Sequence, residues 1–550
     1  MSGSERMRRE AAPAWSIGRE AGRRADAAEL GQLFACGAAL HPERIAVDDG
    51  RTRYTFRELE QISQRLAAAL EARGVVCGDR VAILADKVAL MPAIAVAIWI
   101  CGAVYVPLDS EAPPARIERM LSRLRPRLVL SCRDVAPPEG HAGLSWAMLK
   151  EIASDPHAVR RTEPVGMTTD ASAYIVFTSG STGEPKGVEI TVGSLLAYFK
   201  AHNEVLRFGP QSRVISFTPF HFDVSIEDTL LPLSLGAFVY QYRGIVVGPL
   251  IRNVLTRERI THMIAVSTVL TLISNPASSI NRDALPELGM VMTGAEVCDP
   301  KIINLWKSRL PGCRVINAYG PTETTIVCLC HTINEPDEDR SSSYPIGKPL
   351  EGVEATILAE DGSEVADGVQ GELCIGGIQV MRGYFDQPVE NDKVLFERNG
   401  LRFYRTGDIC FRERDGALVF VGRRDDEVKI AGKRVHLGEV RQTVMSLPSV
   451  DRVAIGLVER GDRPEIAIII VSESATIIDH ARCHLSRELP GYMRPAIWVH
   501  ADKVALSATG KTDEKLLLSK VAAAAAESSE YSFTITGDGE VVPIAEVQHV

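Results

Sequence analysis

The chain carries 11 cysteines yet contains no C-x-x-C pair; the closest two, Cys328 and Cys330, sit two apart in a stretch that reads as a strand. An odd count without a framework argues against a disulfide scaffold and for reduced, core-filling thiols, as expected of a cytoplasmic protein. Positive charge is not in excess either. Against 71 Asp and Glu stand 61 Lys and Arg, giving a net charge of −10 and a pI near 5.8. Such a balance provides no general attraction to nucleic acid or to an anionic membrane, so an anionic substrate must be met by local charge. Also missing is an apolar run free of breakers. Residues 88–108 hold no charge and are long enough to span a bilayer, but Pro92, Gly102 and Pro107 interrupt them and the second half turns β-rich. A buried helix followed by a buried strand is the expected reading. No apolar core follows the arginine-rich start, which excludes a secretory signal. Glu5, Glu10 and Glu20 count against an organelle-targeting helix, and residues 1–26 are expected to form a loose tail.

What is present is an ordinary globular composition, 45% hydrophobic and 24% charged over 550 residues, enough for two or more domains with large cores. From about residue 27 to 200, helical patterns alternate with short apolar strands. The stretch 55–74 has helical spacing with Gly74 as its stop, DRVAIL follows as a strand, and similar pairs recur over 88–108 and 114–131. Repeated αβ units predict a mostly parallel sheet covered on both faces, and this style continues to about 345. From 346 the texture becomes short β runs punctuated by Gly and Asp, the mark of antiparallel hairpins. The charge cluster RRDDE after Gly422 suggests an interdomain joint. The expected fold is mixed α/β: a large core domain over 27–423 with a β-rich subdomain, a small mobile α+β domain over 424–521, and a tail from 522 to 550.

Residues 178–187, TSGSTGEPKG, resemble a P-loop at first sight but lack its G-x-x-x-x-G-K-[ST] spacing. The backbone of a Gly-rich turn, the hydroxyls of Thr178, Ser179, Ser181 and Thr182, and the Lys186 ammonium can still surround an anion. The strand AYIVF before it is a suitable address, because open α/β sheets bind ligands beyond the carboxyl ends of their strands. A Ser/Gly surface loop fits this stretch equally well.

Eight further stretches follow in order: FHFDVS (220–225), TGAEV (293–297), NAYGPTETTI (317–326), GELCIGG (371–377), YRTGDI (404–409), GRRDDEVKIAGKRV (422–435), LPGYMRP (489–495) and SATGKTDEKL (507–516). With TSGSTGEPKG they resemble the motif set of the adenylate-forming enzymes, in particular the amino-acid adenylation domains of nonribosomal peptide synthetases and the similar D-alanine–carrier-protein ligases. The resemblance covers about residues 30 to 520. It implies ATP and Mg2+. Contacts to ATP phosphate would come from Thr178, Ser179, Gly180, Ser181, Thr182, Gly183 and Lys186. Tyr319 would stack on adenine, bordered by Gly294, Ala295, Glu296, Asn317, Ala318 and Gly320. Asp408 would accept both ribose hydroxyls, with Arg423 near the nucleotide. Glu323 matches the magnesium ligand and Thr322 an α-phosphate contact. Lys511 matches the catalytic cation that stabilises charge as a carboxylate attacks the α-phosphate. Without the other motifs, a solvated lysine in a polar turn would serve as well. Asp425 matches the hinge on which the small domain turns.

Asp223 corresponds to the aspartate that pairs with the substrate ammonium in amino-acid-activating members, although locally a helix cap also fits. By register, Val224, Glu227, Ile264, Met292, Gly294, Ala318, Ile326 and Val327 line the same pocket. Glu227 is unusual in such a wall: it meets a cationic side chain, meets a displaced amino group such as a β-amine, or points to solvent. Two departures from the family pattern stand out. Gly193 or Ser194 occupies the place of a histidine beyond the phosphate loop, and His436 stands where a glutamate is common. The implied partners are an amino acid and the phosphopantetheine arm of a separate carrier protein, with no nucleic acid and no membrane. The resemblance leaves open a small activator protein. Rival expectations are an acyl- or aryl-acid CoA ligase of the same superfamily and a catalytically dead, ligand-binding relative.

Overall fold

The computed structural model describes residues 27–180, 184–340, 342–424, 427–460, 463–502, 514–528, 530–535 and 540–544. The expected N-terminal tail lies outside these. The chain separates into two compact units, the first comprising 1–110, 121–177 and 187–424, the second 111–120, 178–186 and 425–550.

In the first unit, the αβ units expected from periodicity form. Helix Phe56–Glu71 opens on a capping box: the Glu58 N–H donates to the Thr55 hydroxyl (3.2 Å) and the Thr55 N–H to the Glu58 carboxylate (2.7 Å). Its apolar stripe, Leu59, Ile62, Leu66 and Leu70, is buried, and the chain leaves through Gly74 at φ +77°. Helix Met91–Ile100 is buried on every side and leads into strand Val104–Asp109, as the uncharged run 88–108 predicts. Among the described residues no helix is long and apolar enough to cross a membrane.

These strands belong to a seven-stranded sheet. Its order is Gly383–Tyr384, Lys186–Thr191, Ser172–Thr178, Val104–Asp109, Arg80–Ala85, Leu128–Ser131 and Gly143–Leu144. The four pairings from Ser172–Thr178 to Gly143–Leu144 are parallel. A nine-stranded sheet runs from Lys348–Pro349 through Leu329–Ile333, Arg314–Tyr319, Met290–Thr293, His262–Ile264, Arg213–Ser216, Phe238–Gln241 and Ile45–Asp48 to Arg53–Thr55. Its interior is parallel and its outer pairings antiparallel. Beyond residue 346 the Gly- and Asp-punctuated runs give an antiparallel five-stranded sheet, Val353–Leu358, Gly371–Gly377, Leu401–Arg412, Leu395–Arg398 and Leu418–Arg423.

The second unit contains the hairpin Glu427–Ile430/Lys433–His436, helices Leu437–Met445 and Ile477–Glu488, and a mixed five-stranded sheet. The segment from 522, expected as a tail, differs from that expectation. Helix Glu514–Glu527 packs by Val521 and Ala525, strand Ser532–Ile535 pairs parallel with Ile497–Ala501, and Val541–Pro543 pairs with it in turn. Buried Phe533 and Ile535 anchor this addition; two apolar residues in a polar stretch were too sparse to signal a strand. Residues 178–186 also cluster with this unit. The Ser179 hydroxyl donates to the Arg434 carbonyl and accepts from the His436 N–H, both at 3.1 Å.

Trp99, fully buried, fixes helix Met91–Ile100 to strand Ser172–Thr178 by donating its indole N–H to the Ala173 carbonyl at 2.8 Å. Trp99→Ala is expected to destabilise the first unit by about 3–5 kcal/mol. The check is a fall in denaturation midpoint at unchanged slope, followed by circular dichroism.

Candidate functional site

Asp223 lies in the first unit at the start of a helical segment whose middle, Ile226–Leu230, is π-helical. Ser225 tightens the entry by donating to the Phe222 carbonyl at 2.6 Å. The π segment itself has Ser225 at its N-cap, with no side-chain cap bond, and the Asp223 carboxyl accepts the neighbouring Val224 N–H. The Asp223 carboxyl is buried and its Oδ2 has no hydrogen-bond partner. Burial pushes it up to about 6, against hydrogen bonds from the Thr322 hydroxyl and the Val224 N–H, with the Glu323 and Glu227 carboxylates adding to the rise. This displacement from 3.8 amounts to roughly 3 kcal/mol against the ionised form.

Strand Arg314–Tyr319 delivers Thr322 and Glu323 through the turn that follows it. Glu323 is fully buried, and its Oε1 accepts a 2.7 Å hydrogen bond from the Tyr384 hydroxyl. Two residues later the backbone enters the left-handed region at Thr325 (φ +59°) and Ile326 (φ +70°), a conformation that costs a β-branched residue about 1–3 kcal/mol. Gln379 holds the distortion: its carbonyl accepts the Thr325 hydroxyl at 2.6 Å and its side-chain amide donates to the Val327 carbonyl at 3.1 Å. Close approach also fixes Gly320, where a Cβ would stand 2.2 Å from the Ile326 carbonyl oxygen.

Ile264 pairs with Met292 across parallel strands, and Ala318 pairs with Cys330 on the antiparallel neighbour. A Cβ on Gly294 would approach the Ala318 carbonyl to 2.7 Å. Val224, Ile264, Met292, Ala318, Ile326 and Val327 all join one apolar core cluster, which also contains Tyr319. Glu227 is 0% exposed, and this removes the solvent-facing alternative for its side chain.

Tyr319, Asp408 and Arg423 form a chain of contacts. The Tyr319 hydroxyl donates to one Asp408 oxygen, and Arg423 donates to the other at 2.5 Å. Burial first, and the Asp408 carboxylate second, push the Tyr319 phenol well up. Asn317 donates its amide to the Pro345 carbonyl at 2.8 Å, Glu296 accepts the Thr268 hydroxyl at 3.0 Å, and Ala295 takes φ +66° beside Gly294. In the second unit, Thr178 donates to the Lys186 carbonyl at 3.5 Å, and Lys186 is buried. His436, the departure from the family's glutamate, caps helix Leu437–Met445 by accepting the Gly438 N–H at Nδ1 (3.1 Å). Ser181, Thr182, Gly183, Asp425 and Lys511 lie outside the described residues.

Four residues at this site were not signalled by any motif: Tyr384, Gln379, Tyr198 and His202. The signal for the last two was their i,i+4 spacing on helix Val192–Leu206, which aligns two polar rings on one face.

Residues 34–385 match the family model described as AMP-binding enzyme. The chain belongs to the AMP-binding enzyme family. Within it, this chain is similar to phosphinothricin tripeptide synthetase PhsC of Streptomyces viridochromogenes, at 34% identity over 87% of this chain and 44% of that protein. Tyrocidine synthase 1 of Brevibacillus parabrevis is 30% identical, over 88% of this chain and 44% of its own length. The chain thus spans well under two thirds of these curated relatives. Among solved structures, holo-PA1221, a nonribosomal peptide synthetase protein with adenylation and PCP domains bound to a vinylsulfonamide inhibitor, superposes with TM-score 0.78 at 25% identity, covering 89% of this chain and 83% of that one. The Vibrio cholerae adenylation domain AlmE, in complex with glycyl-adenosine-5′-phosphate, shares the fold with TM-score 0.76 at 23% identity, over 90% and 98% of the two chains. The AMP-binding chain therefore carries the mixed α/β architecture of adenylation domains of the nonribosomal-peptide-synthetase type.

Asp408→Ala removes the acceptor shared by Tyr319 and Arg423. It is expected to weaken AMP binding by about ten-fold or more, as befits loss of a charge-assisted contact. Titration calorimetry with AMP checks this; unchanged affinity would remove Asp408 from the nucleotide site.

Proposed function

We propose that the chain activates an amino acid in two steps and passes it to a separate phosphopantetheinylated carrier protein, in peptide or polyketide-hybrid secondary metabolism. In the first step a carboxylate oxygen of the amino acid attacks the α-phosphorus of ATP, forming aminoacyl-AMP as pyrophosphate leaves. In the second, the carrier thiolate attacks the acyl carbon, forming the thioester as AMP leaves. The supporting observation is the buried Asp223 carboxylate with one unpartnered oxygen beside Thr322 and Glu323. A buried anion needs a cation, and a substrate ammonium supplies one while placing the substrate carboxylate within the same pocket.

On this reading Tyr319 offers a platform for the base and Asp408 two acceptor oxygens for the ribose hydroxyls. Thr178, Ser179 and Lys186, with the undescribed Ser181 and Thr182, take the phosphates. Glu323 is a hard oxygen donor of the kind that suits Mg2+, which when bound neutralises phosphate charge. Lys511 stabilises the charge that builds on the α-phosphate, and Asp425 is the hinge of the small domain. An acyl- or aryl-acid CoA ligase remains the rival within the family; it has no use for a buried carboxylate at Asp223.

The deciding experiment is ATP–pyrophosphate exchange over α-, β- and D-amino acids and over matched acids lacking the amine. Exchange confined to the amine-bearing acids is expected; exchange driven only by amine-free acids, with thioester formed on free CoA, would establish the rival. Lys511→Ala should abolish adenylate formation and leave transfer from supplied aminoacyl-AMP largely intact, whereas equal loss of both steps would deny it that role. Because Asp223 must be ionised to hold an ammonium, kcat/KM for the amino acid should fall as pH drops below about 6. The acid limb should disappear in Asp223→Asn, and a limb that persists there would belong to another group.

A further inference from the structure

Four residues beyond Asp223 lies a second buried carboxylate, whose close polar neighbours are His202 and Tyr198. Glu227 is fully buried, and neither carboxylate oxygen has a hydrogen-bond partner. Its Oε1 stands 2.9 Å from His202 Nδ1, at ion-pair separation, but the same Nδ1 is 2.7 Å from the Tyr198 hydroxyl. One ring nitrogen carries at most one hydrogen, so it cannot accept from Tyr198 and donate to Glu227 together. On the far side of the ring, Nε2 faces the Cys330 sulfur at 3.5 Å. Cys330 is the cross-strand partner of Ala318 in the apolar wall, which brings this polar chain up to that wall. Two other cations of the first unit are engaged elsewhere: Lys87 Nζ donates to Ser216 (3.0 Å) and Thr218 (2.9 Å) beside Asp228, and Arg423 binds Asp408.

Asp223 and Glu227 lie four residues apart across the entry to the π-helical segment, close enough for Glu227 to act on the Asp223 carboxyl. Burial first, then Glu227 through its charge, and last Asp223 push the Tyr198 phenol up, and Glu227 adds to the burial-driven rise at Asp223. An amino acid with one ammonium answers one of them. We propose that Glu227, held from behind by His202, is a second nitrogen-binding subsite, and that the preferred substrate is a short diamino carboxylic acid whose side-chain ammonium docks there. This rests on the reading of Asp223 as the anchor of the first ammonium.

Pyrophosphate exchange is measured with 2,3-diaminopropionate, 2,4-diaminobutyrate, ornithine and lysine, each against its monoamino counterpart: alanine, 2-aminobutyrate, norvaline and norleucine. At least one diamino acid is expected to exceed its counterpart in kcat/KM by about 30-fold or more, the effect of leaving a buried charged group unpaired. Glu227→Gln should erase that preference, bringing each diamino acid level with its monoamino counterpart, and Glu227→Asp, one methylene shorter, should move the preference to a longer diamino acid. AMP affinity by calorimetry certifies that each variant is folded. Monoamino or β-amino acids preferred by the wild type, or a diamino preference untouched in Glu227→Gln, would overturn the subsite and leave the amino-acid reading standing. Exchange with amine-free acids alone would overturn both.

Discussion

Burying more carboxylate than cation is the constraint around which the first unit is organised. Asp223, Glu227, Asp228, Glu323 and Asp408 are all under a tenth exposed. Each isolated buried charge costs several kcal/mol unless paired or hydrogen-bonded. Two have internal answers: Asp228 gathers Ser216, Thr229 and the Thr218 N–H beside Lys87, and Asp408 has Arg423 and Tyr319. Glu323 takes a hydroxyl from Tyr384, and Asp223 takes one from Thr322 while its Oδ2 stays without a hydrogen bond. On the proposed reading, the cost at Asp223 is what a substrate ammonium would relieve, turning stability lost to folding into affinity.

Much of this architecture was legible in the sequence because the physical signals were local. The 3.6-residue stripe of helix Phe56–Glu71, its capping box and the stop at Gly74 are all encoded within twenty residues. The change from parallel αβ units to antiparallel hairpins near 346 showed as a change in Gly and Asp punctuation. Motif order placed Asp223, Thr322, Glu323, Tyr319 and Asp408 on segments that the fold does bring together in pairs.

What stayed hidden depended on contacts distant in sequence. Gln379 clamps Thr325 and Val327 from over fifty residues away, and Tyr384 reaches Glu323 from sixty-one. Neither Gln379 nor Tyr384 has a chemical signature of its own outside that contact. His202 is similar: helical spacing puts it beneath Tyr198, but only the fold sets Glu227 beside it. The strands after residue 530 were missed because two buried side chains sufficed to dock them on an existing edge.

The left-handed pair at Thr325 and Ile326 has a consequence for how such a pocket changes over time. Gln379 pins its backbone shape through the Thr325 hydroxyl and the Val327 carbonyl, while Ile326 contributes buried apolar surface to the core. Asparagine or glycine there would relieve strain and reshape the cavity in one step. Drift at this wall therefore exchanges backbone strain for lost packing, and the balance of the two decides how readily its shape can change.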